Sequence, residues 1–115
     1  MPTPSSNSPR ARLLSIVRAV REVSPRMEVQ DLEVLLIVAE RPGVTPREIE
    51  DLAGVTRTSA SRAGYRLSSE VLPGEPGLGL VVIEGDPQDR RKKALYLSPR
   101  GQRFLNSLVD HLERK

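Results

Sequence analysis

The apolar residues change period at Ser98, and that change requires a strand that runs straight into a helix. Leu95 and Leu97 alternate with Tyr96, the repeat of an extended strand, whereas Phe104, Leu105, Leu108 and Leu112 recur at helical spacing. Ser98 supplies an N-cap hydroxyl, and Pro99 takes the first helical position, where its missing N–H costs nothing. Ahead of this strand lies a charged stretch, Asp86-Pro-Gln-Asp-Arg-Arg-Lys-Lys93, and ahead of that an apolar run of strand length from Leu78 to Glu84. The expected structure is a hairpin with its tip at Gly85 to Lys93, followed by a helix from Pro99 to about Glu113. Arg and Lys clustered at a hairpin apex suit contact with phosphates or entry into a minor groove.

Upstream the chain is punctuated into short helices. Ser8-Pro9 starts one over Arg10 to Val23, where Leu13, Val17 and Val20 form a stripe and Leu14 and Ile16 widen it into two faces. A second is expected over Glu28 to Glu40, with Val29, Leu32, Leu35, Leu36 and Ala39 inward and Arg41-Pro42-Gly43 as its stop. Thr45-Pro46-Arg47-Glu48 forms a capping box for a short helix that buries Ile49, Leu52 and Ala53, and Gly54-Val55 makes a turn. Thr56 then caps a helix expected over Arg57 to Val71. Ala60, Ala63, Gly64 and Leu67 give it a core face of mostly small residues, opposite Thr58, Ser61, Arg62, Tyr65 and Ser69. Pro73 to Gly77 reads as a loop.

A short helix, a glycine turn, a second helix with a polar face and then a hairpin make a winged helix-turn-helix, mainly α with a small β-hairpin wing. Residues 1–9 carry too little apolar surface to offset their ordering entropy and are expected to be a mobile tail, leaving 10–115 as one domain.

Charge is segregated along the chain, and this matters more than the net +3. Residues 28–54 hold seven acids against two Arg, while Arg57, Arg62 and Arg66 are the only charges from Thr56 to Ser69. Four cations stand in a row from Arg90 to Lys93. Such local fields attract polyanions through phosphate contacts and counterion release.

Catalysis has little to stand on. The chain has no cysteine, and its single histidine, His111, has only Asp110 and Glu113 beside it, a poor ligand or catalytic set. Glu48 is used as a cap, Glu50 and Asp51 load the positive end of a helix, and Gly77-Leu78-Gly79 precedes no helix that could cradle a phosphate. The expectation is a non-enzyme with no cofactor and no metal. Because no apolar run reaches the roughly 20 residues of a membrane span and the start lacks a signal-peptide pattern, a cytoplasmic protein is expected.

Three segments carry a resemblance. These are Val44-Thr-Pro-Arg-Glu-Ile49, Gly54-Val-Thr-Arg-Thr-Ser-Ala-Ser-Arg62, and Asp86-Pro-Gln-Asp-Arg-Arg91 with Leu95-Tyr-Leu-Ser-Pro-Arg-Gly101. From Leu35 to Leu105 the chain resembles the winged helix-turn-helix core of the MarR family of bacterial transcription regulators. The resemblance implies a helix from Arg57 to Leu67 in the major groove, and Arg91 in the minor groove oriented by Asp89. It also implies a symmetric dimer whose layer is built by the first and last helices, Arg10 to Val23 and Pro99 to Glu113. Family members usually extend past Lys115 with helices that complete the dimer layer and a small-ligand pocket, and their passage into the wing is tighter than Leu72 to Leu80 here.

The expected function is therefore sequence-specific binding of double-stranded DNA by a dimeric regulator, in its simplest form a repressor, on an inverted repeat whose half-sites lie about one helical turn apart. Thr58, Ser61 and Arg62 are the expected base readers, with Thr56 and Ser59 beside them at the helix start. Arg57 and Arg66 are expected on phosphates, and Tyr65 either on a phosphate or closing the edge of the core. Arg90, Lys92 and Lys93 accompany Arg91 at the tip. Two other classes stay open: a winged helix of replication, recombination or packaging, of host or phage origin, and a winged helix that binds protein. An effector is neither implied nor excluded by the residues.

Overall fold

The computed structural model describes residues 8–72, 75–85, 88–89 and 91–113. Five helices, α1 (Pro9–Val23), α2 (Val29–Glu40), α3 (Pro46–Ala53), α4 (Arg57–Leu67) and α5 (Pro99–Glu113), surround two short antiparallel strand pairs. One pair is β1 (Glu70–Leu72) with β2 (Glu75–Pro76); the other is β3 (Val81–Gly85) with β4 (Lys93–Leu97), in register from Val81 opposite Leu97 to Gly85 opposite Lys93. The mainly α fold with a hairpin wing is as the sequence predicts.

The caps act where the side chains allow. Ser8, Thr45 and Thr56 each accept an N–H from three residues on, and Glu48 closes the capping box of α3 on Thr45. Because Ser8 caps and Pro9 begins α1, the expected tail loses its last two residues to the domain; residues 1–7 lie outside the described ones.

Helix α2 corrects part of the expected inward stripe: Leu35 is buried and Leu32 and Ala39 pack partly against the core, but Val29 and Leu36 do not. The buried face is Asp31, Val34, Leu35 and Val38, whereas Val29 is 86% exposed and Leu36 47%. Apolar residues occur all round this helix, so its periodicity does not single out one face. Val29, Leu32, Leu36 and the 44%-exposed Leu52 instead border an open apolar groove between α2 and α3.

Helix α4 is also shorter than expected. It ends at Leu67 rather than Val71, because Ser68 is extended and the returning segment takes the carbonyls of the last turn. The amides of Leu78, Leu80, Gly79 and Gly77 donate to the carbonyls of Arg66, Leu67, Ser68 and Ser69 at 2.7–3.0 Å. These are the acceptors a helix end leaves orphaned. Only glycine fits at residue 77, since a Cβ there would stand 2.0 Å from the Ser68 carbonyl oxygen. The same segment then reaches α5: Ser98 donates its amide to Leu80 and its hydroxyl to Gly79, and the hydroxyl also caps the amide of Gly101. Residues 77–80 thus join the end of α4 to the start of α5.

The core gathers Val34, Leu35, Val38, Ile49, Leu67, Leu80 and Leu95, all at most 2% exposed, with Ala60 and Ala63 of α4. Burying each large side chain contributes about 1.5–3 kcal/mol before entropy is counted. Around it α1 packs on α5, with Val20 and Phe104 joined to the core, while Leu13, Leu14 and Val17 of α1 and Val109 and Leu112 of α5 are exposed.

Candidate nucleic-acid interface

The wing base is fixed before the tip begins. Leu95 exchanges backbone hydrogen bonds with Gly43 and Val44 at 2.8–2.9 Å, so the loop after α2 acts as a third edge on β4. Leu95 also lies against Gly64 of α4. At the wing's outer end Lys93 donates to the Tyr65 hydroxyl and holds its ammonium 4.5 Å from the ring centroid, a cation–π contact between wing and helix. Tyr65, half-buried, therefore closes the edge of the helix against the wing.

Asp89 sits as expected relative to Arg91. Its Oδ1 accepts both the Arg91 amide, at 3.1 Å, and Nε, at 3.3 Å, while the Arg91 side chain remains 92% exposed. A carboxylate that holds only the base of a guanidinium leaves its outer donors for another acceptor. Arg90 lies outside the described residues.

The start of α3, the start of α4 and the wing tip border one cleft of about 530 Å³. Arg47, Arg57, Arg91, Lys92 and Lys93 line it with Thr45 and Ser61, and Glu48 is its carboxylate. Thr58 and Arg62 are exposed on the adjoining face of α4, while the hydroxyls of Thr56 and Ser59 are joined at the cap. The helix and wing cations are thus brought together. Arg47 was missed by sequence reasoning, although its place in the first turn of a capped helix ahead of the turn was a usable signal.

The arginines of α4 have different partners. Arg57 Nε meets Glu50 Oε2 at 3.1 Å on an open surface, with the two side chains 60% and 36% exposed. Arg66 instead turns inward onto Asp31: Nη2 donates to Oδ1 at 2.6 Å and Nε to both oxygens at 3.2 and 3.3 Å. The Asp31 side chain is 4% exposed, and its Oδ2 also takes the Glu28 amide that begins α2. These hydrogen bonds raise the guanidinium pKa of Arg66 above its ordinary value, against the lowering effect of partial burial. Asp31 was not among the residues the sequence singled out. A charge in an apolar helix is ordinarily assigned to solvent, and its partner is 35 residues away.

No protein-family model matches the sequence, and no curated protein matches it. Solved structures do match its fold. The crystal structure of MarR is similar with 24% identity and a TM-score of 0.61 over 93% of this chain and 77% of that one. A MarR transcriptional regulator from Methanosarcina mazei gives 15% identity and 0.67, over 90% and 68%. CouR from Rhodococcus jostii, solved bound to p-coumaroyl-CoA, gives 22% and 0.65, over 90% and 66%. The chain therefore has the winged-helix fold of MarR-type regulators, and spans roughly two thirds to three quarters of the length of these three. Among the described residues no helix is long and apolar enough to cross a membrane.

Proposed function

We propose that the protein is a sequence-specific, double-stranded-DNA-binding regulator that acts by occupying its site and not by chemistry. The observation that carries this reading is the shared cleft, in which cations of α3, α4 and the wing converge beside the exposed polar face of α4. Thr58, Ser61 and Arg62 read base edges in the major groove, Arg57 and Arg47 hold phosphates on either side, and Arg91 enters the minor groove. Lys92 and Arg90 add phosphate contacts, while Lys93 and Tyr65 keep the wing at a fixed distance from the helix.

The outward residues of α1 and α5, Leu13, Leu14, Val17, Val109 and Leu112, support a symmetric dimer through these two helices. The site is then an inverted repeat with half-sites about one turn apart, and repression follows wherever it overlaps a promoter. Selection of bound duplexes from a random pool, with the stoichiometry of the shifted complex recorded, tests both claims. An inverted repeat bound by two chains is the expected result, and failure to enrich any sequence at low salt rejects the reading. Replacing Arg91 with Ala weakens the selected duplex by about 1–3 kcal/mol with the fold intact; unchanged affinity at fixed salt removes the wing from the interface.

A further inference from the structure

We infer that Asp31 is the positioning residue of the DNA-reading helix, setting the attitude of α4 through its grip on Arg66; this role rests on the duplex-binding reading above. The carboxylate lies in the core-facing row of α2 with Val34, Leu35 and Val38, where it is 4% exposed and cannot follow a moving partner. Both its oxygens are occupied, Oδ1 by Nη2 and Nε of Arg66 and Oδ2 by Nε and the Glu28 amide. A two-point fork of this kind fixes direction as well as distance.

The grip acts on a helix end that the backbone also holds. Arg66 gives its own carbonyl to Leu78, and the three carbonyls after it go to Leu80, Gly79 and Gly77. Segment 77–80 therefore tethers the end of α4, while Asp31 fixes its angle against α2. The consequence appears at the opposite end. With 11 residues, α4 is about 16 Å long, so a tilt of about 5° at the anchored turn moves its start by about 1.4 Å. A shift of that size breaks hydrogen bonds to base edges, whose useful range spans about 0.5 Å. Flexible phosphate contacts follow it. Releasing Arg66 therefore costs sequence discrimination before it costs general DNA affinity.

Arg66 is also placed for this work and not for the interface. It stands about two and a half turns from Arg57, on the other flank of α4, where it borders a small cleft with Ser24, Met27, Gly77 and Leu78. The wing cations line a different cleft, together with Arg57 and Ser61.

The test titrates a selected duplex and a mixed-sequence duplex between 50 and 200 mM salt, using the whole chain and counting only active molecules, with Arg66→Lys, Arg66→Ala, Asp31→Asn and the Asp31→Asn/Arg66→Ala double variant. Each single variant is expected to bind the selected duplex about ten- to a hundredfold more weakly, the cost of a misread base pair, and the mixed duplex as the parent does. The salt slope stays at the parent value, and the double variant is no weaker than either single one. A phosphate contact gives the opposite pattern: Arg66→Ala weakens both duplexes alike, the slope falls by about 0.9, and Arg66→Lys restores binding. That pattern overturns the inference, as does unchanged affinity in every variant, which leaves the pair a matter of stability alone. Amide exchange without DNA separates this inference from the reading beneath it. Faster exchange in α4 than in α5 of Arg66→Lys supports the grip even if no duplex binds the parent, and unaltered exchange overturns it.

Discussion

The two ends of α4 are held in opposite ways. At its start Arg57 has one contact with Glu50, both side chains open to water, and at its end Arg66 has three contacts with a carboxylate 4% exposed. An exposed pair contributes little and opens readily, so Arg57 can exchange Glu50 for another anion. In the Arg66 pair the carboxylate alone has lost its hydration, since the Arg66 side chain is 38% exposed, and losing the guanidinium would leave that buried carboxylate with only the Glu28 amide. Two arginines on one helix, alike in sequence, thus differ because of where their carboxylates sit. The end of the helix is tied to a buried carboxylate; its start carries an arginine 60% exposed.

Removing the anchor is the strongest way to break this contrast. Asp31→Ala is expected to lower stability by about 1.5–3 kcal/mol, since the charge-assisted hydrogen bonds to Arg66 and the first-turn acceptor of α2 are lost, and urea unfolding measures it. A loss below 1 kcal/mol would place the two ends on the same footing. Gly77→Ala attacks the backbone half of the same anchor: its Cβ must displace the Ser68 carbonyl, and about 1–3 kcal/mol is expected in the same assay. Thermal melts of Thr56→Ala probe the free end, where losing the cap on the Ser59 amide costs about 1 kcal/mol. The smallest effect belongs to Glu50→Gln. Stability should change by less than about 0.5 kcal/mol, and on the proposed reading duplex affinity should rise about twofold as Arg57 is freed, by titration at fixed salt. A larger loss of stability there would erase the distinction from the other direction.

Much of the fold was legible because its signals are local. The Thr45 and Ser98 caps with their prolines, the small-residue face of α4 and the alternation around Tyr96 each involve neighbours within a few residues. The Asp89–Arg91 pair was implied by the family resemblance, and the contact is a local one, since the two are separated by one residue. What failed depends on distant partners. The end of α4 was read too late because Val71 continues an apolar pattern, while the amides that take its final carbonyls come from residues 77–80. The pairing of Arg66 with Asp31, and the burial of Asp31 on the face of α2 that also holds Leu35, depend on a partner 35 residues away.

The amino-acid order by itself settled where helices begin, which segment forms the hairpin and where positive charge collects, because capping, periodicity and local charge act over a turn or two of chain. Tertiary structure alone decided which face of α2 is buried and which cations remain free. An ionised side chain can enter a core only when a fold brings its counter-charge within hydrogen-bonding distance, and nothing local in the sequence records that meeting of Asp31 with Arg66.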